Sequence, residues 1–189
     1  GRGRLDVDFA HELVRAYPEV EWRLHANVPV EAALRVVDLA HWPRERDWFD
    51  RLARVSAALK APAYTAHAGR RDQATVAQVL RHAREVEQSL GIPVGVEGHY
   101  PTPGGIWLFG CWAEYRMLFE SGVRYALDLS HLHILAMHSG RIEWGLLWEM
   151  VASPNCLEIH VSANDGAADR HELGAFMGGK AHGTQRVAA

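Results

Sequence analysis

Short apolar runs alternate with longer amphipathic stretches along the chain. Five runs, Trp22–His25, Pro62–His67, Pro93–Glu97, Val123–Asp128 and Leu157–Val161, have the length and composition of strands. The stretches between them follow the helical period. Arg44–Lys60 carries Trp48, Phe49, Leu52, Val55 and Leu59 at that spacing, and Asp72–Leu90 carries Val76, Val79, Leu80 and Val86. Trp112–Glu120 and Ile142–Val151 continue the series. Leu13 and Val14 belong to an opening helix, and Val30–Ala40 to a further helical segment. Gly91-Ile92-Pro93 predicts a helix stop followed by a strand start, and Gly122 plays the same part before Val123.

A strand–helix alternation with buried strands predicts parallel β/α units. They can close as a doubly wound open sheet or as a (β/α)8 TIM barrel. Each predicted strand ends on or near a polar residue able to bind a metal: His25, His67, Glu97, Asp128, His160. The last four follow one another at intervals of 30, 31 and 32 residues. A barrel gathers such residues on its C-terminal rim from many strands, whereas an open sheet gathers them near one crevice. The pattern therefore predicts the barrel. A complete barrel takes about 250 residues, and this chain has 189. The expectation is one incomplete domain with about five β/α units. A first strand before Gly1 and the last units after about Leu173 would be missing, with 174–189 an irregular Gly/Ala-rich tail.

Composition narrows the function classes. The chain is 48% hydrophobic and 23% charged, with a formal net charge of −3. Its arginines are interleaved with carboxylates, so the basic excess of a nucleic-acid binder is absent. No run approaches the roughly 18 apolar residues of a membrane span. Gly1-Arg2-Gly3-Arg4 has no apolar run behind it, so it does not read as a secretion signal, and the expected location is the cytoplasm. Cys111 and Cys156 lack CxxC partners, which argues against a disulfide framework or a thiolate zinc site; Cys156 reads as core. The unusual count is twelve histidines, the side chain used most often as a metal ligand.

A single histidine at a strand end is ordinarily structural. Recurrence at every strand end is not explained by packing, because apolar side chains would fill those positions at lower cost. Asp128-Leu129-Ser130-His131 sets a carboxylate and an imidazole three residues apart just past a strand. His160 runs into the turn Ser162-Ala163-Asn164-Asp165-Gly166, and Asp169-Arg170-His171 sets two more donors two apart. The candidate metal ligands are therefore His25, His67, Glu97, Asp128, His131, His160, Asp169 and His171. Nitrogen and oxygen donors without thiolate suit Zn, Mn or Fe(II). Eight donors exceed what one ion takes, which predicts two or three divalent ions bridged by a carboxylate.

The ordered set His, His, Glu, Asp-x-x-His, His, Asp-x-His resembles the xylose isomerase-like TIM-barrel superfamily in its multinuclear branch, over roughly Trp22 to Leu173. Two families there share the arrangement: endonuclease IV, with three zinc ions, and the multinuclear non-haem iron-dependent oxidases, which modify peptides. The resemblance implies one ion on His25, His67 and Glu97, a second on Asp128 and His160 bridged by Glu97, and a third on His131, Asp169 and His171. Both families add a glutamate from a later strand. No residue here matches it, since Glu172 adjoins His171, so the second ion is one ligand short. The phrase Glu158–Ser162 resembles a strand of the oxidases, whereas Arg170 resembles an arginine of endonuclease IV. The turn after His160 also resembles mononuclear sugar isomerases and epimerases. The favoured expectation is an iron-dependent oxidase acting on a peptide, delivered by a recruiting protein. Zinc phosphodiesterase action on abasic DNA, divalent-metal sugar isomerisation on a small-molecule substrate, and a non-catalytic metal-binding relative are the alternatives.

Remaining polar residues fall into groups. Arg170, His99, Tyr64 and Trp107 are candidate substrate contacts, Trp107 because it lies in the Gly-rich loop Pro103–Gly110; Tyr100, beside His99, and Asn27, near a strand end like Tyr64, share that reading, with a loop role the alternative. His133 and His138 flank an apolar stretch and read as supporting or surface residues. His11, His41, His82 and His182 read as solvated, and Trp48, Trp144 and Trp148 as packing.

Overall fold

The computed structural model describes residues 4–31, 35–162, 164, 166 and 167. Five strands form one parallel sheet: β1 (Leu24–His25), β2 (Tyr64–His67), β3 (Val94–Glu97), β4 (Tyr125–Asp128) and β5 (Cys156–His160). Their spatial order is their chain order. A doubly wound sheet would reverse direction partway; this one winds in one sense, as a barrel wall does. It is also strongly curled. The rings of His25 on β1 and His160 on β5 lie 4.7 Å apart, although four strand spacings of about 4.8 Å would separate the edges of a flat sheet by about 19 Å. The fold is an incomplete TIM barrel.

The helices are α1 (Val7–Ala16), α2 (Arg46–Leu59), α3 (Val76–Leu90), α4 (Trp112–Glu120), α5 (Leu129–Ser139) and α6 (Trp144–Ala152). Local chemistry sets their ends. Asp6 caps α1 by accepting from the Phe9 amide. Thr75 and Gln78 form a reciprocal capping box on α3, which stops at Gly91 with φ +68°. The core lies between the helices and the outer face of the sheet, where Trp48, Phe49, Leu52 and Val55 of α2 and Val79 and Val86 of α3 are buried with Tyr64, Tyr125 and Leu127.

Four sequence expectations are corrected. The predicted helix over Val30–Ala40 is reduced, among the described residues, to a 3-10 turn at Leu39–His41. Helix α5 was not predicted, because it begins at the residue after β4 and its histidines break the apolar period. His82 is buried, with Nδ1 3.0 Å from the Leu39 carbonyl, and His41 accepts from the Asp38 amide, so neither is simply solvated. Trp144 and Trp148 stack on each other at 6.3 Å and are exposed, not packed. Trp48 and Cys156 are buried as expected. No described helix is long and apolar enough to cross a membrane.

Candidate metal centre

Side chains alternate across a strand, so β2 presents Thr65 and His67 to the inner face, β3 Gly95 and Glu97, β4 Ala126 and Asp128, and β5 Glu158 and His160. The register sets His67 beside Glu97, Glu97 beside Ala126, and Asp128 beside His160. Two small residues in the middle of this face make room for their neighbours. A Cβ on Gly95 would stand 3.0 Å from Thr65 Cγ2 and 3.3 Å from Leu157 Cδ1, and Ala126 carries only a methyl group. Long side chains therefore meet across the strands between them.

Glu97 is the hub, with 1% of its surface exposed. Its Oε1 lies 3.2 Å from His160 Nδ1; its Oε2 lies 3.1 Å from His25 Nε2 and 3.5 Å from His67 Nε2. Burial alone would raise its pKa, but the hydrogen bond from His160 and the fields of His25 and His67 prevail and lower it to about 2. His160 is held between two carboxylates, since its Nε2 lies 2.9 Å from Glu158 Oε2. Burial would lower its pKa; the hydrogen bonds to Glu158 and Glu97 outweigh that and raise it to about 10.

Hydrogen bonds to fixed acceptors set the tautomers of two more rings. His131 Nδ1 lies 2.9 Å from the Gly98 carbonyl, which can only accept, so Nδ1 carries a proton and Nε2 is the nitrogen left for the metal side. That Nε2 faces Asp128 Oδ2 at 3.9 Å. Asp128 uses its other oxygen to cap α5, accepting from the amides of Ser130 and His131. The Thr65 hydroxyl donates to Glu158 at 3.1 Å, so it accepts from His25 Nδ1 at 2.9 Å. That leaves His25 Nε2 as the nitrogen that faces Glu97.

Two donor triads result, His25–Glu97–His160 and Glu97–Asp128–His131, each with its ligand atoms within 4.8 Å of one another. The set fits a divalent cation. Glu97 Oε2 is a buried acceptor without a hydrogen-bond partner, and it faces two imidazole nitrogens at 3.1 and 3.5 Å, a donor set that a divalent cation would complete. The shared Glu97 was expected from the sequence, but the partition differs. His160 groups with His25 and not with Asp128, and His131 groups with Asp128. His67 borders the first triad through Glu97 Oε2. Asp169, Arg170 and His171 lie outside the described residues.

Around the centre, His99 stacks on Trp107 at 4.6 Å and lies 4.8 Å from His67. Burial, with the nearby rings of His67 and His131, lowers the His99 pKa to about 3, so it is a neutral wall of the site. Tyr64 points to the opposite face and is wholly buried, which places it in the core rather than in reach of a substrate; burial, reinforced by the Asp38 charge, raises its pKa. Asn27 is exposed with φ +65°. Three buried residues at the site were missed from sequence. Thr65 and Glu158 each precede a predicted ligand by two residues, a spacing that puts both on the ligand's face and that could have revealed them. Asp38, whose Oδ1 lies 3.7 Å from His67 Nδ1, sits in the segment expected to be helical and had no such signal. Burial raises its pKa to about 6.

No family model matches the chain, and no curated protein sequence does. Solved structures do match. A D-tagatose 3-epimerase-like protein superposes with TM-score 0.59 at 16% identity, covering 87% of this chain and 64% of its own. The chain shares that structure's TIM-barrel fold, in incomplete form. The 3-keto-D-glucoside 4-epimerase YcjR from E. coli, in its apo form, has the same fold with TM-score 0.51 at 14% identity, covering 85% of this chain and 68% of its own. The chain thus spans a little under two thirds of the length of the first of these structures.

Proposed function

We propose that the chain carries the metal centre of a divalent-metal-dependent isomerase or epimerase acting on a sugar or keto-sugar. This replaces the peptide oxidase as the favoured reading, because the solved structures that share the fold include two described as sugar epimerases or epimerase-like. The observation that carries the proposal is the convergence of two donor triads on Glu97 at the C-terminal rim, the edge where such barrels hold their active sites. A bound divalent ion supplies Lewis-acid polarisation of a sugar carbonyl or hydroxyl.

The chain's own residues supply the rest. His25, Glu97, Asp128, His131 and His160 would hold and orient the ion. His67, outside the two triads, exchanges a proton at its ring with Asp38 beside it, a carboxyl raised close to the neutral range. The stacked pair His99 and Trp107 offers an aromatic wall for the apolar face of a sugar ring and excludes water from it. The test is solvent exchange. Protein loaded with Mn(II), Zn(II) or Fe(II) and incubated in D2O with D-tagatose, D-fructose or a 3-keto-glucoside is expected to incorporate deuterium beside the carbonyl, and E97Q to abolish it. Absence of exchange with every metal across that panel would contradict the proposal.

One observation favours a second reading. His25 and His67 bring two further imidazoles to the same carboxylate, which would suit two Glu97-bridged ions, as in an iron-dependent oxidase of peptides. Retention of two irons with O2 consumption, and no sugar exchange, would support that reading over the first.

A further inference from the structure

We infer that Glu158 is a positioning residue shared by two metal-binding histidines, one carboxylate that fixes which ring nitrogen of His25 and of His160 faces Glu97. The inference rests on the metal centre of the preceding section and not on its sugar substrate.

Glu158 is buried, on β5, two residues below His160. Its Oε2 takes two contacts: His160 Nε2 at 2.9 Å and the Thr65 hydroxyl at 3.1 Å. A carboxylate only accepts. His160 therefore donates from Nε2 to Glu158, which leaves Nδ1 as the ring nitrogen that faces Glu97 Oε1 at 3.2 Å and donates to it while no metal is bound. The proton between Thr65 and Glu158 belongs to Thr65, which leaves the threonine oxygen to accept from His25 Nδ1 at 2.9 Å. His25 thus presents Nε2 to Glu97, 3.1 Å away. The two rings turn opposite nitrogens inward, and the same oxygen dictates both choices. The relay from β2 to β5 passes over Gly95 and Ala126, whose small size permits it. Arg23 Nη1, 3.4 Å from Glu158 Oε1, compensates the buried charge. An outer partner that fixes the tautomer and direction of a histidine ligand raises metal affinity about ten- to a hundredfold.

The test combines zinc titration with long-range 1H–15N spectra of the histidine rings, on the full chain. Thr65→Val keeps the side-chain shape but removes the relay to His25; Thr65→Ser keeps the relay. Glu158→Gln replaces one accepting oxygen with a donating amide. Zinc affinity is expected to fall about ten- to a hundredfold in E158Q, to fall in T65V, and to stay within threefold of the parent in T65S. In metal-free protein, His25 is expected to carry its proton on Nδ1 in the parent and T65S and to lose that preference in T65V. Parent-like affinity in E158Q and T65V, with an unchanged His25 tautomer, would overturn the inference. If E158Q does not fold, the threonine pair decides. If the parent binds none of Zn(II), Mn(II) and Fe(II), the metal centre falls and this inference with it. Zinc binding without sugar exchange would count against the substrate alone.

Discussion

The rings of His25 and His160 meet at 4.7 Å, edge to face, although the two residues occupy the first and last strands of a five-stranded sheet. Only a curled sheet brings its edges together in this way. The contact puts both rings on one carboxylate, Glu97 of the middle strand, and makes the first donor triad a product of the curl. The second triad is local to β3, β4 and the start of α5.

The two triads are expected to respond separately to mutation. His25→Ala or His160→Ala removes a donor from the first triad only, and His131→Ala from the second only. Each single variant should lose the ion of its own triad and keep the other, as read by metal-to-protein ratio after gel filtration. Equal loss in all three variants would show that Glu97 serves one site and not two.

The small residue at position 126 makes a further prediction. Ala126 lies between Glu97 and Glu158 in the sheet register and is wholly buried. Ala126→Leu would fill the space across which Glu97 reaches His160. It should destabilise the fold by about 1–3 kcal/mol through overpacking and weaken metal binding more than Ala126→Ser does. Chemical denaturation and zinc titration of the two variants check this; equal zinc affinity would contradict it.

The Glu97–His160 pair predicts a pH dependence. His160 is raised from 6.5 to about 10, so the stability it contributes is fully present below pH 6.5 and is lost as pH rises toward about 10. Glu97 is lowered from 4.5 to about 2, so its contribution is present above pH 4.5 and is lost as pH falls toward about 2. The pair thus favours the metal-free fold most between pH 4.5 and 6.5. A metal on His160 Nδ1 must displace a proton, so zinc stabilisation grows with pH instead. Denaturation midpoints from pH 6 to 9 should fall in chelator and diverge upward in zinc; parallel curves would contradict the assignment of His160.

Much of this was legible in the sequence, for identifiable reasons. The strands were found because each is a short apolar run closed by a polar residue, and the amphipathic helices because Trp48, Phe49, Leu52 and Val55 repeat at the helical period. Helix α5 escaped because Asp128 ends a strand and caps a helix at once, leaving no loop to mark the boundary, and because His131, His133 and His138 interrupt its apolar positions. The hub was legible; its partition was not. Which histidine shares a triad with which depends on curl and register, and neither is written in local spacing. Asp38 arrives through a loop, so its approach to His67 is wholly tertiary.

The tryptophans give a direct check on packing. Trp48 is 1% exposed and Trp148 is 64% exposed, although both sit at helical spacing. Trp48→Ala should cost about 3–5 kcal/mol, and Trp148→Ala no more than about 0.5 kcal/mol. Urea denaturation of the two variants measures the difference, and similar losses would mean that Trp148 is covered in the folded protein.

The claim on which the rest depends is that Glu97 centres a metal site. Anomalous diffraction from zinc-soaked crystals, recorded on both sides of the zinc edge, tests it most directly. The expected result is a peak about 2.0–2.2 Å from a Glu97 oxygen, His25 Nε2 and His160 Nδ1, absent from E97Q crystals. Zinc bound elsewhere, or no zinc while His160 still hydrogen-bonds Glu97, would contradict it.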